Sequence, residues 1–206
     1  MSYSVQLIKK DEQITKEWSG GDTTQLAIYP EDAQYTKRNF LWRISTAQVE
    51  AEESDFTPLP DIDRLIMVIE GEMTLQHEGH HRVHLTPYEQ DRFNGGWTTR
   101  SYGKVRDFNL MLGEGCDGEL DAITIEKDSH YETVSSNADK RQIVQAFYCV
   151  SGPVCLLVND KEEFDAENGD LFLMHSEGLD RGITIKVFNK ADVEAKVIRA
   201  GVVPND

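Results

Sequence analysis

Four of the six histidines crowd into one short stretch, His77-Glu78-Gly79-His80-His81-Arg82-Val83-His84. Imidazole at that density is the chemistry of zinc or nickel binding. The stretch nevertheless follows a turn glycine, Gly71, and an apolar strand, which is where a hairpin tip belongs. Strand alternation sends His80 and His84 to one side and His77 and His81 to the other, so the four cannot converge on one ion. The expectation is an exposed hairpin, open only to adventitious metal pickup. His130 and His175 stand alone. Cys116, Cys149 and Cys155 are an odd set, and the last two lie in apolar strand-like runs. They read as reduced, buried small side chains and not as a redox pair.

These residues sit in a chain of 206, with 39% hydrophobic and 28% charged residues, enough to build a core. The net charge of -16, with no basic stripe, argues against a nucleic-acid partner. An anionic membrane surface would repel the chain for the same reason. The first ten residues lack an apolar signal region, and no stretch approaches the ~18 apolar residues of a membrane span. A cytoplasmic protein is expected.

Short apolar or alternating runs dominate the elements that must position any site. Leu26–Tyr29, Phe40–Val49, Leu65–Ile69, Met73–His77, Arg82–Leu85 and Val105–Met111 read as strands, as do Ala122–Ile125, Ile143–Val150, Val154–Val158, Leu171–Met174 and Ile183–Phe188. Lys190–Arg199 alternates and favours a strand over a helix. Glu114–Glu119 reads as a loop between two halves. The halves repeat. Arg64 to Gly71, followed by Met73, Leu75, Val83 and Phe93, reappears 81 positions on as Gln145 to Gly152, followed by Val154, Leu156, Phe164 and Met174.

That unit of apolar strand, turn glycine, hairpin and further strand resembles the cupin, a small double-stranded β-barrel. The resemblance implies an all-β bicupin, with residues 1–113 as the first barrel and 114–206 as the second. Two barrels in one chain make a monomer or a homodimer the expected state. Many cupins hold a metal with two His, a Glu seven residues before the turn glycine, and a later His. Here the Glu positions are Arg64 and Gln145, the His-x-His positions fall among Thr57–Pro60 and Ala138–Arg141, and the later His near Thr98 and Asp180. No ligand stands at any of them, so no metal and no other cofactor is expected. Arg64 should point into the barrel instead. A structural salt bridge to an internal carboxylate (Asp63, Asp91 or Asp107) would account for it, and so would an anion pocket.

A more specific resemblance lies in Trp18-Ser19-Gly20-Gly21-Asp22-Thr23-Thr24-Gln25-Leu26-Ala27-Ile28-Tyr29-Pro30, in Phe40 to Ala47, in Phe56 to Arg64, in Phe93-Asn94-Gly95 and in Asp107 to Met111. Together and in this order they resemble the HutD/Ves family of cupin-like proteins. The resemblance implies a barrel without a catalytic metal, with Arg64, Arg43, Ser45, Asp107 and Asn109 near the pocket of the first barrel. Thr23 or Thr24 would close its mouth. Thr24 and Gln25 stand where the family has Arg and Glu, which removes one positive group there.

The family resemblance implies a protein that binds a small carboxylate and modulates histidine and urocanate catabolism or a stress response. The alternative is a metal-independent isomerase or hydrolase with Asp107 as general base and Arg43 or Arg64 as electrophilic clamp. A binder is the expected answer, and Gln145 marks the second barrel as scaffold.

Overall fold

A computed structural model describes residues 2–135, 143–177 and 182–204. The described strands of the first half are β1 (Ser2–Ile8), β2 (Ile14–Trp18), β3 (Gly21–Tyr29), β4 (Trp42–Val49), β5 (Glu53–Asp55), β6 (Asp63–Gly71), β7 (Met73–His77), β8 (Arg82–Leu85), β9 (Gln90–Asn94), β10 (Thr99–Tyr102) and β11 (Val105–Leu112). Those of the second half are β12 (Cys116–Ile125), β13 (His130–Ser135), β14 (Ile143–Ser151), β15 (Val154–Val158), β16 (Glu162–Ala166), β17 (Leu171–Glu177), β18 (Ile183–Asn189) and β19 (Ala195–Pro204). Among the described residues no helix is long and apolar enough to cross a membrane.

The local reasons are ordinary ones. β18 alternates buried Ile183, Ile185 and Val187 with half-buried Thr184, Lys186 and Phe188, the period of a strand covered on one face. β14 is buried from Ile143 to Val150, so it presents no polar face and takes a central place in its sheet.

The chain divides into two compact units, Gln13–Cys116 and Met1–Glu12 with Asp117–Asp206. The first contains a six-stranded sheet, β2-β3-β4-β11-β6-β9, and a four-stranded one, β5-β10-β7-β8. The second contains a five-stranded sheet, β1-β17-β14-β19-β12, and a four-stranded one, β13-β18-β15-β16. Leaving out β1, β2 and β3, the two orders superimpose strand for strand along the chain: β4-β11-β6-β9 becomes β12-β19-β14-β17. The repeat seen in the sequence is thus a repeat of topology.

The glycine at the centre of each copy has a backbone reason. Gly71 and Gly152 have φ of 81° and 79°, the left-handed region that disfavours a Cβ. At Gly71 a Cβ would also lie 2.3 Å from the carbonyl oxygen of Lys104. At Gly152 the nearest atom is the Ala195 Cβ at 3.1 Å, a milder crowding.

Three expectations need correction. The N-terminal strand does not join the first barrel: β1 pairs antiparallel with β17 along its whole length, from Ser2 opposite Glu177 to Ile8 opposite Leu171. Glu114–Glu119 is a loop only at its start, because β12 begins at Cys116. In Lys190–Arg199 the strand begins at Ala195, whose side chain is buried, while Val193 before it is exposed. Ala138–Arg141 and Asp180 lie outside the described residues.

Candidate functional site

The six-stranded sheet of the first unit has a polar row on its inner face, at one end of an apolar core of Ile66, Val68, Leu75 and Phe93. Arg43 and Ser45 alternate on β4, Asp107 and Asn109 on β11, and Thr23 and Gln25 on β3. Register brings them side by side: Ser45 is opposite both Gln25 and Asn109, and Met111 is opposite both Arg43 and Arg64. A bulge between Arg106 and Asp107, where β11 meets β6, lies at the edge of this row. Such irregularities re-aim side chains beside sites.

The row borders a cavity of about 370 Å³, a size that suits a small molecule. All six residues named from the sequence, Arg64, Arg43, Ser45, Asp107, Asn109 and Thr23, line it. Thr57 of the former His-x-His stretch also reaches it, while Thr24 instead meets Thr15 through its hydroxyl. The position where the family has its arginine is therefore off the cavity wall. The loss of positive charge expected from Thr24 is not a loss from the lining.

Arg64 is 7% exposed, and its Nη2 donates to Oδ1 of Asn109 at 2.9 Å. Its buried Nε has no hydrogen-bond partner. The guanidinium lies over the rings of Phe56 and Phe93, 4.5 and 5.4 Å from their centroids. Burial pushes its pKa down to about 10, against the attraction of Tyr35 and Asp107, and it stays charged at neutral pH. Arg43 donates from Nε to Gln25 at 3.0 Å and from Nη1 to Ser45 at 2.9 Å, and stacks on Tyr35 at 4.6 Å. Burial lowers its pKa too. Asn109 turns its other end to Asp107, donating from Nδ2 to Oδ1 at 2.6 Å. Burial raises the Asp107 carboxyl to about 7, although Arg64 and the Asn109 hydrogen bond pull the other way.

The salt bridge drawn from the sequence is absent in each of its three forms. Asp63 is taken by Arg92 at 3.0 Å, Asp91 by His77 at 2.9 Å, and Asp107 by Asn109. Two guanidinium groups thus face one cavity held by neutral amides, a hydroxyl and aromatic faces. The residues at the metal position of a cupin do not fit a metal ion. Arg64 has no lone pair to offer, and beside it stand another arginine and an amide.

Sequence reasoning did not find Gln25, Tyr35 and Phe56 as partners of the arginines. Gln25 stands out in the sequence as a departure from the family pattern, yet its place two residues from Thr23 puts both on one face. Tyr35 lies in a short 3-10 turn that no strand pattern marks. The histidine stretch is not the wholly exposed hairpin expected of it. His77 is 2% exposed, with Nδ1 against Thr99 Oγ1 at 2.8 Å and Nε2 against Asp91 at 2.9 Å. His80 stacks on Trp97, and His84 pairs with Glu72, so the four indeed do not converge. Cys149 and Cys155 are buried and free.

Two packed β-sheets per unit around an apolar core, with a polar cavity in the first unit, define a cupin-like protein. The HutD family model matches residues 10–193, and the chain belongs to the HutD family. No curated protein matches it in sequence. Among solved structures, a conserved protein of unknown function from Pseudomonas aeruginosa PAO1 is 19% identical with a TM-score of 0.79, covering 97% of this chain and 98% of that one. HutD from Pseudomonas fluorescens SBW25, described for a formate condition, is 20% identical with a TM-score of 0.72, covering 98% and 100%. The bacterial pirin YhhW of Escherichia coli, in complex with nickel(II), is 15% identical with a TM-score of 0.69, covering 98% and 100%. At these identities the likeness is one of fold.

Proposed function

We propose that the first unit binds a small carboxylate at Arg64 and Arg43, with Ser45, Asn109 and Thr23 lining the site and without a metal at the barrel centre. The observation that carries this reading is the buried Nε of Arg64, a charged donor with no partner beside an open cavity. A buried guanidinium without an anion is costly, and a carboxylate supplies the bidentate acceptor that Asn109 alone does not. The apolar and aromatic walls, Tyr35, Phe56 and Trp18, favour a flat or unsaturated body behind the carboxylate. In the cell, the chain would act as a sensor or modulator of histidine and urocanate catabolism or of a stress response, in keeping with its family.

The test is thermal unfolding with formate, acetate and urocanate. A ligand at a hundredfold excess over its dissociation constant adds about 2.7 kcal/mol, a clear rise in Tm. Arg64→Ala should remove that rise. A folded protein that shifts with none of the panel would sink the reading.

One observation favours a second reading, an enzyme without a metal. A carboxyl poised near neutral pH beside two arginines suits a general base and its electrophilic clamp. Long incubation of whichever carboxylate binds, followed by chromatography, decides between them, because a binder returns its ligand unchanged.

A further inference from the structure

At the end of β7, where His77 packs on the Phe93 ring that Arg64 also contacts, two imidazoles and a carboxylate of the first unit converge. The Nε2 of His77 lies 2.9 Å from Oδ2 of Asp91, and the Nε2 of His81 lies 3.0 and 3.1 Å from the two oxygens of the same carboxylate. The His77 and His81 rings are 4.5 Å apart, and all three donor atoms fall within 4.8 Å of one another. We propose that His77, His81 and Asp91 form a binding site for one divalent transition-metal ion of the zinc or nickel class.

The hydrogen-bond geometry is what points to a cation. The Thr99 hydroxyl lies 3.3 Å from the Trp97 carbonyl, the acceptor for its proton. In the tautomer this allows, the Thr99 oxygen accepts from Nδ1–H of His77 and the lone pair on Nε2 faces Asp91; with the hydroxyl donating to Nδ1 instead, Nε2–H donates to Asp91. A ligating histidine characteristically donates its other nitrogen in this way, which sets the tautomer and the ring plane. His81 turns a second Nε2 on the same carboxylate. Neutral rings can satisfy Asp91 by turning Nε2–H to it, but in the tautomer that leaves both Nε2 lone pairs on the carboxylate oxygens a cation must lie between them. One ion among the three satisfies every donor. Two imidazoles and a carboxylate suit zinc and nickel, and tetrahedral zinc would leave the fourth position to water.

The scaffold is built for such a site. His77 has no exposed side-chain surface and packs on Phe93 at 4.5 Å, so the deepest ligand is rigid. Asp91 is contributed by the other sheet, through β9. His81, 40% exposed in its side chain, leaves the site a path from solvent. Zinc needs its donors roughly 3.3 Å apart at bond lengths of ~2.0–2.1 Å. Asp91 already stands within a few tenths of an ångström of that spacing from each ring, and the two ring nitrogens, within 4.8 Å of each other, have the remaining distance to close.

The experiment is a titration of the chelator-treated full chain with Co(II), read by its visible d–d absorption, and with Zn(II), read by calorimetry. One ion per chain should bind. His81→Ala and Asp91→Asn should each weaken it at least tenfold, the scale on which losing even a supporting partner acts. His80→Ala with His84→Ala should leave affinity unchanged, since neither side chain belongs to the trio. All four positions are exposed or at the rim, and circular dichroism checks that each variant is folded. Absence of binding, or binding lost in the His80/His84 variant and kept in His81→Ala and Asp91→Asn, overturns the proposal.

Discussion

Arg64 and Asp107 share one cavity but meet only through Asn109, whose Oδ1 accepts from the guanidinium at 2.9 Å while its Nδ2 donates to the carboxylate at 2.6 Å. The amide separates a cation from an anion that could otherwise have closed on each other. The guanidinium thereby keeps free donors for a ligand.

Asn109 should therefore matter for stability as well as binding. Asn109→Ala leaves a buried donor and a buried acceptor without their partner, at a cost of about 1–3 kcal/mol. Urea unfolding measures the loss. An unchanged midpoint would mean that water replaces the amide fully.

Arg64→Met separates stability from binding. The replacement keeps most of the volume and removes a buried charge whose Nε has no partner. Removing a buried charge that lacks an ionic partner relieves its desolvation cost, which offsets the about 1–3 kcal/mol of leaving Asn109 Oδ1 without its donor. The variant should stay close to the parent in urea, while its carboxylate-dependent rise in Tm disappears.

Asp107 sets a pH dependence. Its folded pKa, about 7, lies above the unfolded value near 3.8, so the folded state holds a proton that the unfolded state releases. Its contribution is most favourable at low pH and is lost as pH rises through the window from about 4 to 7. A carboxylate probe that stays ionised over that range should bind less tightly above pH 7 than below it, because Asp107 then adds a negative charge beside Arg43 and Arg64. Asp107→Asn should flatten both profiles, measured by unfolding and by calorimetric titration between pH 5.5 and 8.5, about 1.5 units on either side of the Asp107 midpoint.

The two turn glycines should differ. Either alanine substitution carries the left-handed penalty of about 1–2 kcal/mol. Gly71→Ala adds a backbone clash at 2.3 Å, whereas Gly152→Ala meets nothing nearer than 3.1 Å, the Ala195 methyl, with the Ala191 methyl and the Ala195 Cα at 3.3 Å. The first should lower Tm more than the second, and equal losses would show that backbone conformation alone decides.

The sequence by itself determined many of the strands and their repeat, because these are written in local periodicity, and the family resemblance supplied the polar residues of the cavity. β1, β2, β5, β10 and β13 carried no such signal. Alternation states which residues share a face, and so Arg43 with Ser45 and Asp107 with Asn109 were legible together. Only the tertiary structure decided what those residues meet. That Arg64 takes an amide instead of Asp63, Asp91 or Asp107 depends on register across three strands. That His77 is buried, and finds Asp91, depends on one sheet bringing β9 against the end of a strand in the other. β1 finds β17 across most of the chain for the same reason. Periodicity specifies the direction of a side chain, and packing between distant strands chooses its partner.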